Sequence, residues 1–387
     1  MRYRNSIFAE LLKPVSRRWF DATASRHRGD AYGKSFFSWD HLVTLIFAQL
    51  SGSQSLRGLE ASWNANKHHH YHLGTTTITR STVADGNARR PVAIFAETFT
   101  MLAGAADRVL KREGAEMVRL IDSSPIPLDQ ITSWSTWNGR IKGMKLHVVY
   151  DPSSQVPRLI DMTPATVNDI SFGRALTIET GATYVFDKAY CSYAFWTQID
   201  AAGATFVTRQ KTNARFCCVR RRALDTVKGD GFTVLADAEV KLVSKGDSRL
   251  PIPMRRIAVK RDDGGTITLL TNDLERSATE VAQLYKTRWQ IELLFRWIKQ
   301  HLKLANFLGR SENAIRLQIV AAMIAYLLLR IAAKTHRITM LPIRFAELAG
   351  SMLFVRKPVA LIDKPPETNP SKPSPRSSPN QMELCYA

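Results

Sequence analysis

The sequence has few acidic residues relative to basic ones, and that imbalance is its most unusual property. Its 387 residues include 34 Asp and Glu against 54 Lys and Arg, which gives a formal net charge of +20. Such a surplus attracts polyanions and releases their condensed counterions on binding, so nucleic acid or an anionic membrane is the expected partner. The 45% hydrophobic and 23% charged content excludes a chain that is disordered throughout.

Long hydrophobic runs and cysteine motifs are also missing. The longest uninterrupted apolar run, residues 319–329, is about half the ~20 residues that a spanning helix needs, so it predicts a buried core helix. The basic N-terminal segment has no continuous apolar stretch of the secretory type. The 4 cysteines lack metal-ligand spacing and are interpreted as reduced thiols. We therefore expect a cytoplasmic, nucleoid-associated protein with no membrane partner.

The hydrophobic pattern changes along the chain and predicts an α+β protein. A helical period runs through residues 38–108, strands alternate with helices over 117–208, and strand patterns dominate 214–272. Within the last region, the turn residues 262–265 predict a β-hairpin.

The C-terminal third is predicted to be helical and then irregular. Apolar periodicity predicts one long helix over 277–304 and a second over 312–335. From residue 364 onward Pro and Ser dominate, a composition that is typical of disordered segments.

Two aspartates follow predicted strands at equivalent positions. Asp122 comes directly after the apolar run 117–121, and Asp187 directly after 183–186. Each taken alone is explained by an ordinary turn or cap. With Glu292 of the long helix, however, they would supply three hard oxygen ligands, which Mg²⁺ and Mn²⁺ prefer. Two such ions about 3.5–4 Å apart support phosphoryl transfer on a nucleic-acid backbone.

The long helix carries four polar residues on one side. At 100° per residue, Tyr285, Arg288, Glu292 and Lys299 fall within an arc of about 60°. A solvated helix face with an i,i+4 ion pair would explain this arc equally well.

The spacing of these four residues matches the family signature Tyr, two residues, Arg, three residues, Glu, six residues, Lys. The blocks Ile-Asp-Ser-Ser at 121–124, Lys-Gly-Met-Lys-Leu-His at 142–147, Thr-Val-Asn-Asp at 166–169 and Asp-Lys-Ala-Tyr at 187–190 occur in the expected order. The chain thus resembles the DDE transposases of bacterial insertion sequences, in the branch called insertion sequence family four. The resemblance covers most of residues 38–335.

The resemblance implies an RNase H-like catalytic core, a mixed sheet flanked by helices, with a β-rich insertion and a helical N-terminal domain before it. It implies that Asp122, Asp187 and Glu292 are catalytic and hold two Mg²⁺ ions, with Mn²⁺ as a substitute. The implied domains are a helical DNA-binding domain over residues 1–112 and the first part of the core over 113–212. They are followed by the insertion over 213–274, the C-terminal core helices over 275–340 and a tail over 341–387.

Six residues are candidates for DNA binding. The resemblance implies that Tyr285, Arg288 and Lys299 contact phosphates at the transposon end. Trp289 either stacks on an unpaired base or packs internally. Lys142 and Lys145 either hold backbone phosphate or lie at a plain exposed strand edge.

The resemblance implies a cut-and-paste transposase that acts through hairpin ends. Its expected DNA partners are double-stranded: the terminal inverted repeats of the transposon, and target DNA. Its expected protein partner is a second copy of the chain, in a synaptic homodimer. Two alternatives stay open from the sequence: an RNase H-like nuclease that acts on structured nucleic acid, and a catalytically dead DNA-binding protein derived from a transposase.

Overall fold

A computed structural model describes residues 5–31, 33–128, 132, 134–139, 142–212, 214–224, 227–243, 252–301 and 307–364. The first part of this chain is helical, as the periodicity predicts. Ser and Thr side chains accept hydrogen bonds from first-turn backbone N–H groups at four of its helix starts, which explains where those helices begin. The helices are α1 (Ile7–Leu12), α2 (Arg17–Arg26), α3 (Ser38–Ser51), α4 (Leu56–Asn64), α5 (His70–Leu73), α6 (Arg80–Arg89) and α7 (Val92–Leu110).

The middle of the chain forms the predicted layer of strands and helices. Its elements are β1 (Val118–Pro127), β2 (Thr136–Trp137), β3 (Lys142–Asp151), β4 (Val156–Pro164), α8 (Asp169–Ala175), β5 (Thr183–Phe186), α9 (Tyr193–Ala201) and β6 (Thr205–Arg209). Strand β3 pairs antiparallel with both β1 and β4, whereas β1, β5 and β6 are parallel. This arrangement confirms the predicted α+β, RNase H-like core.

The following strands extend the same sheet. They are β7 (Arg215–Arg221), β8 (Lys228–Gly229), β9 (Phe232–Val243), β10 (Met254–Arg261) and β11 (Thr266–Thr271). Because β11 pairs antiparallel with β6, one 11-stranded sheet runs β2-β3-β1-β5-β6-β11-β10-β9-β7, with β4 on β3 and β8 on β9. The predicted hairpin is confirmed between β10 and β11, where Gly264 has a φ of 90° that favours glycine.

The predicted single helix over 277–304 is wrong in one respect. Two helices, α10 (Ala278–Thr287) and α11 (Trp289–His301), are separated by a turn at Arg288. The Thr287 hydroxyl donates to the Leu284 carbonyl over 2.6 Å, and the backbone N–H of Arg288 bonds Tyr285 O three residues back. A hydroxyl that competes for helix carbonyls, together with this tighter turn, explains the break. Positions 302–304 of the prediction lie outside the described residues.

Helix α12 (Glu312–Thr335) confirms the second predicted helix and forms the centre of the core. By length and composition α12 could cross a membrane, but 89% of its apolar window is buried inside the protein. It packs against α3 and α7, as expected for the buried core helix that the sequence predicts.

Part of the predicted tail is folded. Helix α13 (Pro342–Ser351) packs on α3, and the backbone N–H groups of Ile7 and Phe8 donate to the carbonyls of Val355 and Leu353 over 3.0 and 2.8 Å. The described C-terminal segment therefore closes over the N-terminal helices. Apart from Lys364, the segment predicted to be disordered lies outside the described residues.

A buried ion pair connects the outer strands to the helices. Arg255 on β10 donates two hydrogen bonds to Asp237 on β9, over 2.8 and 2.5 Å, and both side chains are only 2% exposed. The same guanidinium donates to the carbonyl of Arg276 over 2.5 Å, just before α10. Arg255 thus fixes the start of α10 relative to β9 and β10.

We predict that Asp237→Ala destabilises the protein by about 3–5 kcal/mol, because it leaves the Arg255 charge buried and uncompensated. Urea unfolding followed by circular dichroism measures the effect. Glu239→Ala is the matched control, since its partner Arg220 is largely exposed. Equal unfolding midpoints for the two variants would contradict the structural role of the buried pair.

Candidate active site

The register of two parallel strands brings the two aspartates together. In the β1–β5 pair, Ile121 lies opposite Phe186. Asp122 and Asp187 are the next residues on these neighbouring strands, which are about 4.8 Å apart in any sheet. Asp122 lies within β1, which continues to Pro127 beside β3, so the prediction that it follows a strand is wrong, whereas Asp187 directly follows the end of β5.

Arg288 connects Asp122 to the helix. One guanidinium nitrogen, Nη1, donates to Asp122 Oδ2 over 3.0 Å, and Nη2 donates to Glu292 Oε1 over 2.5 Å. Because Arg288 lies in the turn between α10 and α11, the break in the predicted long helix places its side chain over the strand. The arrangement joins two acids that are far apart in the sequence.

Tyr285 connects Asp187, the third acid, to the cluster around Arg288. Its hydroxyl donates to Asp187 Oδ1 over a long 3.5 Å, and its ring lies 5.9 Å from the Arg288 guanidinium carbon. Asp122, Asp187 and Glu292 therefore surround one Arg–Tyr pair.

Burial and mutual repulsion perturb the charges in this cluster. The pKa of Asp122 is raised to about 6, chiefly by burial; Arg288 opposes the shift, and the nearby Glu292 and Asp187 carboxylates contribute to it. Burial also raises the pKa of Tyr285 to about 12, with Asp187 adding to the effect. Burial acts to lower the pKa of Arg288, but Asp122, Tyr285 and Glu292 outweigh it and raise that pKa.

The donor set suits divalent cations, although the side chains are not arranged around one. No group of three His, Cys, Asp or Glu side chains in the described parts of the chain has metal-ligand geometry. Arg288 instead supplies the positive charge between Asp122 and Glu292. Three carboxylates that surround a cation are the chemistry expected of a Mg²⁺ or Mn²⁺ site.

The remaining predicted DNA-binding residues are spread around the cluster. Trp289 begins α11 and is 50% exposed, with the Arg296 guanidinium carbon 5.6 Å from its ring. Lys299 is exposed two turns beyond Glu292. Lys142 begins β3 and is half-buried. Lys145 already donates to Asp169 Oδ1 and to Val167 O, over 3.0 and 2.8 Å, so its ammonium group holds the start of α8.

Two residues near the site have no role in the sequence-based prediction. Asp169 accepts a hydrogen bond from Ser123 Oγ over 2.9 Å and thereby supports the residue next to Asp122. Arg209 ends β6 and, with Tyr285, lines a groove of about 340 Å³ beside α10. The sequence signal for Arg209 is its position at the carboxyl end of a strand parallel to β5, an edge where functional groups collect in open sheets.

Comparison with known proteins matches most of the chain to known families. The model of the "Transposase DDE domain" family matches residues 113–328, and a "Domain of unknown function (DUF4372)" matches residues 3–76. A protein of Sinorhizobium fredii that is named as a transposase, y4zB, is 60% identical over 79% of this chain and 85% of its own length.

More distant relatives carry similar names. A protein of Geobacillus stearothermophilus, named as the transposase of insertion sequence element IS5377, is 28% identical over 65% of this chain and 66% of its own length. One from Synechocystis, named as the transposase of element IS4SA, is 26% identical over 66% and 72% of the two chains.

A solved structure, the piggyBac transposase synaptic complex with hairpin DNA, aligns over 90% of this chain and 78% of its own chain, with 10% identity and a TM-score of 0.46.

The family match spans more than half of the chain and includes every residue of the cluster. This confirms the resemblance seen in the sequence: the chain belongs to the DDE transposase family, in the insertion sequence family four branch.

Proposed function

We propose that this chain is an active transposase that binds the terminal inverted repeats of its insertion sequence, cleaves DNA strands there and joins them to target DNA. The observation that carries the proposal is the Arg288 contact to both Asp122 and Glu292, with Tyr285 reaching Asp187 beside it. Three acids from β1, the end of β5 and α11 thus share one polar cluster, which a solvated helix face would not produce.

The proposed reaction is phosphodiester transfer. In the first step a water oxygen attacks phosphorus at the end of the element, and the bond from phosphorus to the 3′ oxygen breaks. The products are a 3′ hydroxyl and a 5′ phosphate, between which the hydrogens of the water are divided. The free 3′ hydroxyl then attacks phosphorus on the opposite strand, which closes a hairpin on the element end, and the displaced 3′ oxygen of the flanking DNA takes up the proton. Water next attacks the hairpin phosphodiester, which regenerates the 3′ hydroxyl and leaves a 5′ phosphate. That hydroxyl finally attacks phosphorus in target DNA, and the displaced 3′ oxygen of the target leaves with the proton.

Asp122, Asp187 and Glu292 would hold the divalent ions. When bound, two such ions activate the nucleophile and stabilise the leaving oxygen. Arg288 neutralises two of these acids in the cluster as it stands. We propose that it moves to a DNA phosphate when the site is loaded, because a guanidinium binds phosphate through the same paired N–H donors.

Other residues of the chain would position the DNA. Tyr285 and Lys299 would contact phosphate, and half-exposed Trp289 offers an aromatic face for an unpaired base. In the helical N-terminal part, Arg80 and Arg89 of α6 are exposed, whereas Arg90 is buried and unavailable. We propose that the enzyme works on DNA in the cytoplasm, at the nucleoid, as a homodimer that pairs two ends.

We predict that Asp187→Asn and Glu292→Gln abolish strand cleavage and leave DNA affinity within about twofold, because each removes a metal ligand without removing a basic group. A gel assay with labelled duplexes that carry the element's own ends, with Mg²⁺, measures cleavage, and fluorescence anisotropy measures binding. Glu275→Gln removes an exposed carboxylate outside the cluster and is the matched control. Full cleavage by either variant would remove that residue from the site, and no cleavage by the wild type would favour a dead DNA-binding protein.

A second prediction concerns Arg288. In the absence of DNA, the Arg288→Ala variant is expected to bind Mn²⁺ about tenfold more tightly than the wild type, because the guanidinium competes with the metal for the same carboxylate oxygens. The magnitude follows from pKa shifts, since one neighbouring cation changes the proton affinity of a carboxylate by a comparable factor. Electron paramagnetic resonance of free Mn²⁺ measures the affinity without any need for activity.

Arg296→Ala on the same helix removes an exposed charge and should leave Mn²⁺ affinity unchanged. An Arg288→Ala affinity equal to that of the wild type would show that Arg288 does not occupy the metal position.

A further inference from the structure

A second basic surface lies on the outer strands of the sheet, away from the carboxylate cluster. A cleft of about 740 Å³, which we call the edge-strand cleft, is lined by residues of β7, β9, β10 and the segment after β6. Its lining includes Gln210, Cys218, Arg221, Arg222, Ala238 and Arg256. Strand β7 is at one end of the sheet, so the cleft lies at the edge of the sheet.

Two arginines face each other across the floor of this cleft. Ala238 on β9 is the register partner of both Arg221 on β7 and Arg256 on β10. Residues paired in this way point to the same face of a sheet, and two strand spacings separate the Cα atoms of the arginines by about 10 Å. The small Ala238 side chain between the two arginine positions leaves room for a shallow trough that both arginines line.

The charge of the trough is not cancelled locally. Asp237, the acid in the lining, is committed to the buried Arg255 pair described above. Glu239 is engaged by Arg220 and Arg222, at 2.5 and 3.4 Å. Within the described residues, Arg221 makes no ion pair and Arg256 bonds only the neutral Gln210, over 2.9 Å.

The cleft is connected to the proposed active site through a short segment. Gln210 and Lys211 follow β6, and Lys211 Nζ donates to the carbonyl of Cys191 over 3.1 Å. Cys191 closes the single helical turn that begins at Asp187. Its sulfur also lies 3.4 Å from the carbonyl oxygen of Arg209. One end of the trough therefore adjoins the loop that carries the second aspartate.

We propose that the edge-strand cleft binds the phosphate backbone of the duplex whose end occupies the active site. The proposal rests on the proposed function. Two arginines whose Cα atoms are about 10 Å apart can each contact a separate phosphate, so they fit successive positions along a backbone. A protein strand added to β7 is disfavoured, because the bulge between Cys218 and Arg220 and the row of arginines interrupt a flat edge.

The structure provides an internal probe for this proposal. Cys217 and Cys218 are adjacent and both exposed, but Cys218 lines the cleft and Cys217 lies opposite Lys241 on the other face. The full-length variants Cys217→Ser and Cys218→Ser each leave one thiol of the pair. Mass spectrometry then measures the rate at which N-ethylmaleimide alkylates that thiol, with and without a saturating short DNA duplex.

We expect the duplex to slow alkylation of Cys218 several-fold and to leave Cys217 nearly unchanged. Equal rates with and without DNA, or equal protection of both thiols, would overturn the proposal, because neither result places DNA in the cleft.

A charge-matched mutant pair tests the same surface without thiol chemistry. The double variant Arg221→Ala, Arg256→Ala should have a shallower slope in a plot of log affinity against log salt concentration. The magnitude of the slope should fall by about 1.8, or about 0.9 for each lost phosphate contact. Arg112→Ala, Arg344→Ala removes two exposed arginines elsewhere and should keep the wild-type slope. Identical slopes for the two double variants would also overturn the proposal.

These outcomes separate the two proposals. Protection of Cys218 without Mg²⁺-dependent cleavage would leave the DNA path in place and remove the enzymatic function. Cleavage by the wild type without protection of Cys218 would leave the transposase activity in place and remove the edge-strand cleft from the DNA path.

Discussion

Three carboxylates that converge in a partly buried place repel one another, and the rest of the site depends on how that repulsion is balanced. The raised pKa of Asp122, about 6, records the cost of burying one carboxylate near two others. Arg288 offsets part of this cost through its contacts to Asp122 and Glu292. A cation is thus built into the cluster, and any divalent ion that enters must compete with it. In the proposed function, the signature arginine would link charge balance within the protein to recognition of charge on a substrate.

The continuous sheet determines how the other parts of the molecule relate to this cluster. Because β11 pairs with β6, the outer strands extend the catalytic sheet instead of forming a separate body. The buried Arg255–Asp237 pair then connects these strands to the segment before α10, the helix that carries Tyr285. The cluster and the edge-strand cleft are consequently held on one framework, which suits the proposed binding of a stiff duplex in one orientation.

Much of the fold follows from local patterns in the sequence. The α12 boundaries and the hairpin around Gly264 follow from apolar periodicity and turn residues, because both elements are governed by short-range interactions. The break at Arg288 does not follow in this way. Apolar periodicity continues through it, and only the Thr287 hydroxyl bond and the packing over β1 interrupt the helix. Likewise, nothing local indicates that β11 pairs with β6, since strand partners are chosen across long chain separations.

For the site, the sequence by itself determined the residue types, their order and their spacing. Short spacing along the chain is local geometry, so it predicts that Tyr285, Arg288 and Glu292 lie together, and they do so although the helix breaks at Arg288. Only the tertiary structure decided that Arg288 contacts Asp122, that Asp169 supports Ser123, and that Arg221 and Arg256 face each other over Ala238. Those contacts join residues that are far apart in the chain. They depend on strand register and on how helices pack over the sheet, which the long-range contacts of the whole fold determine.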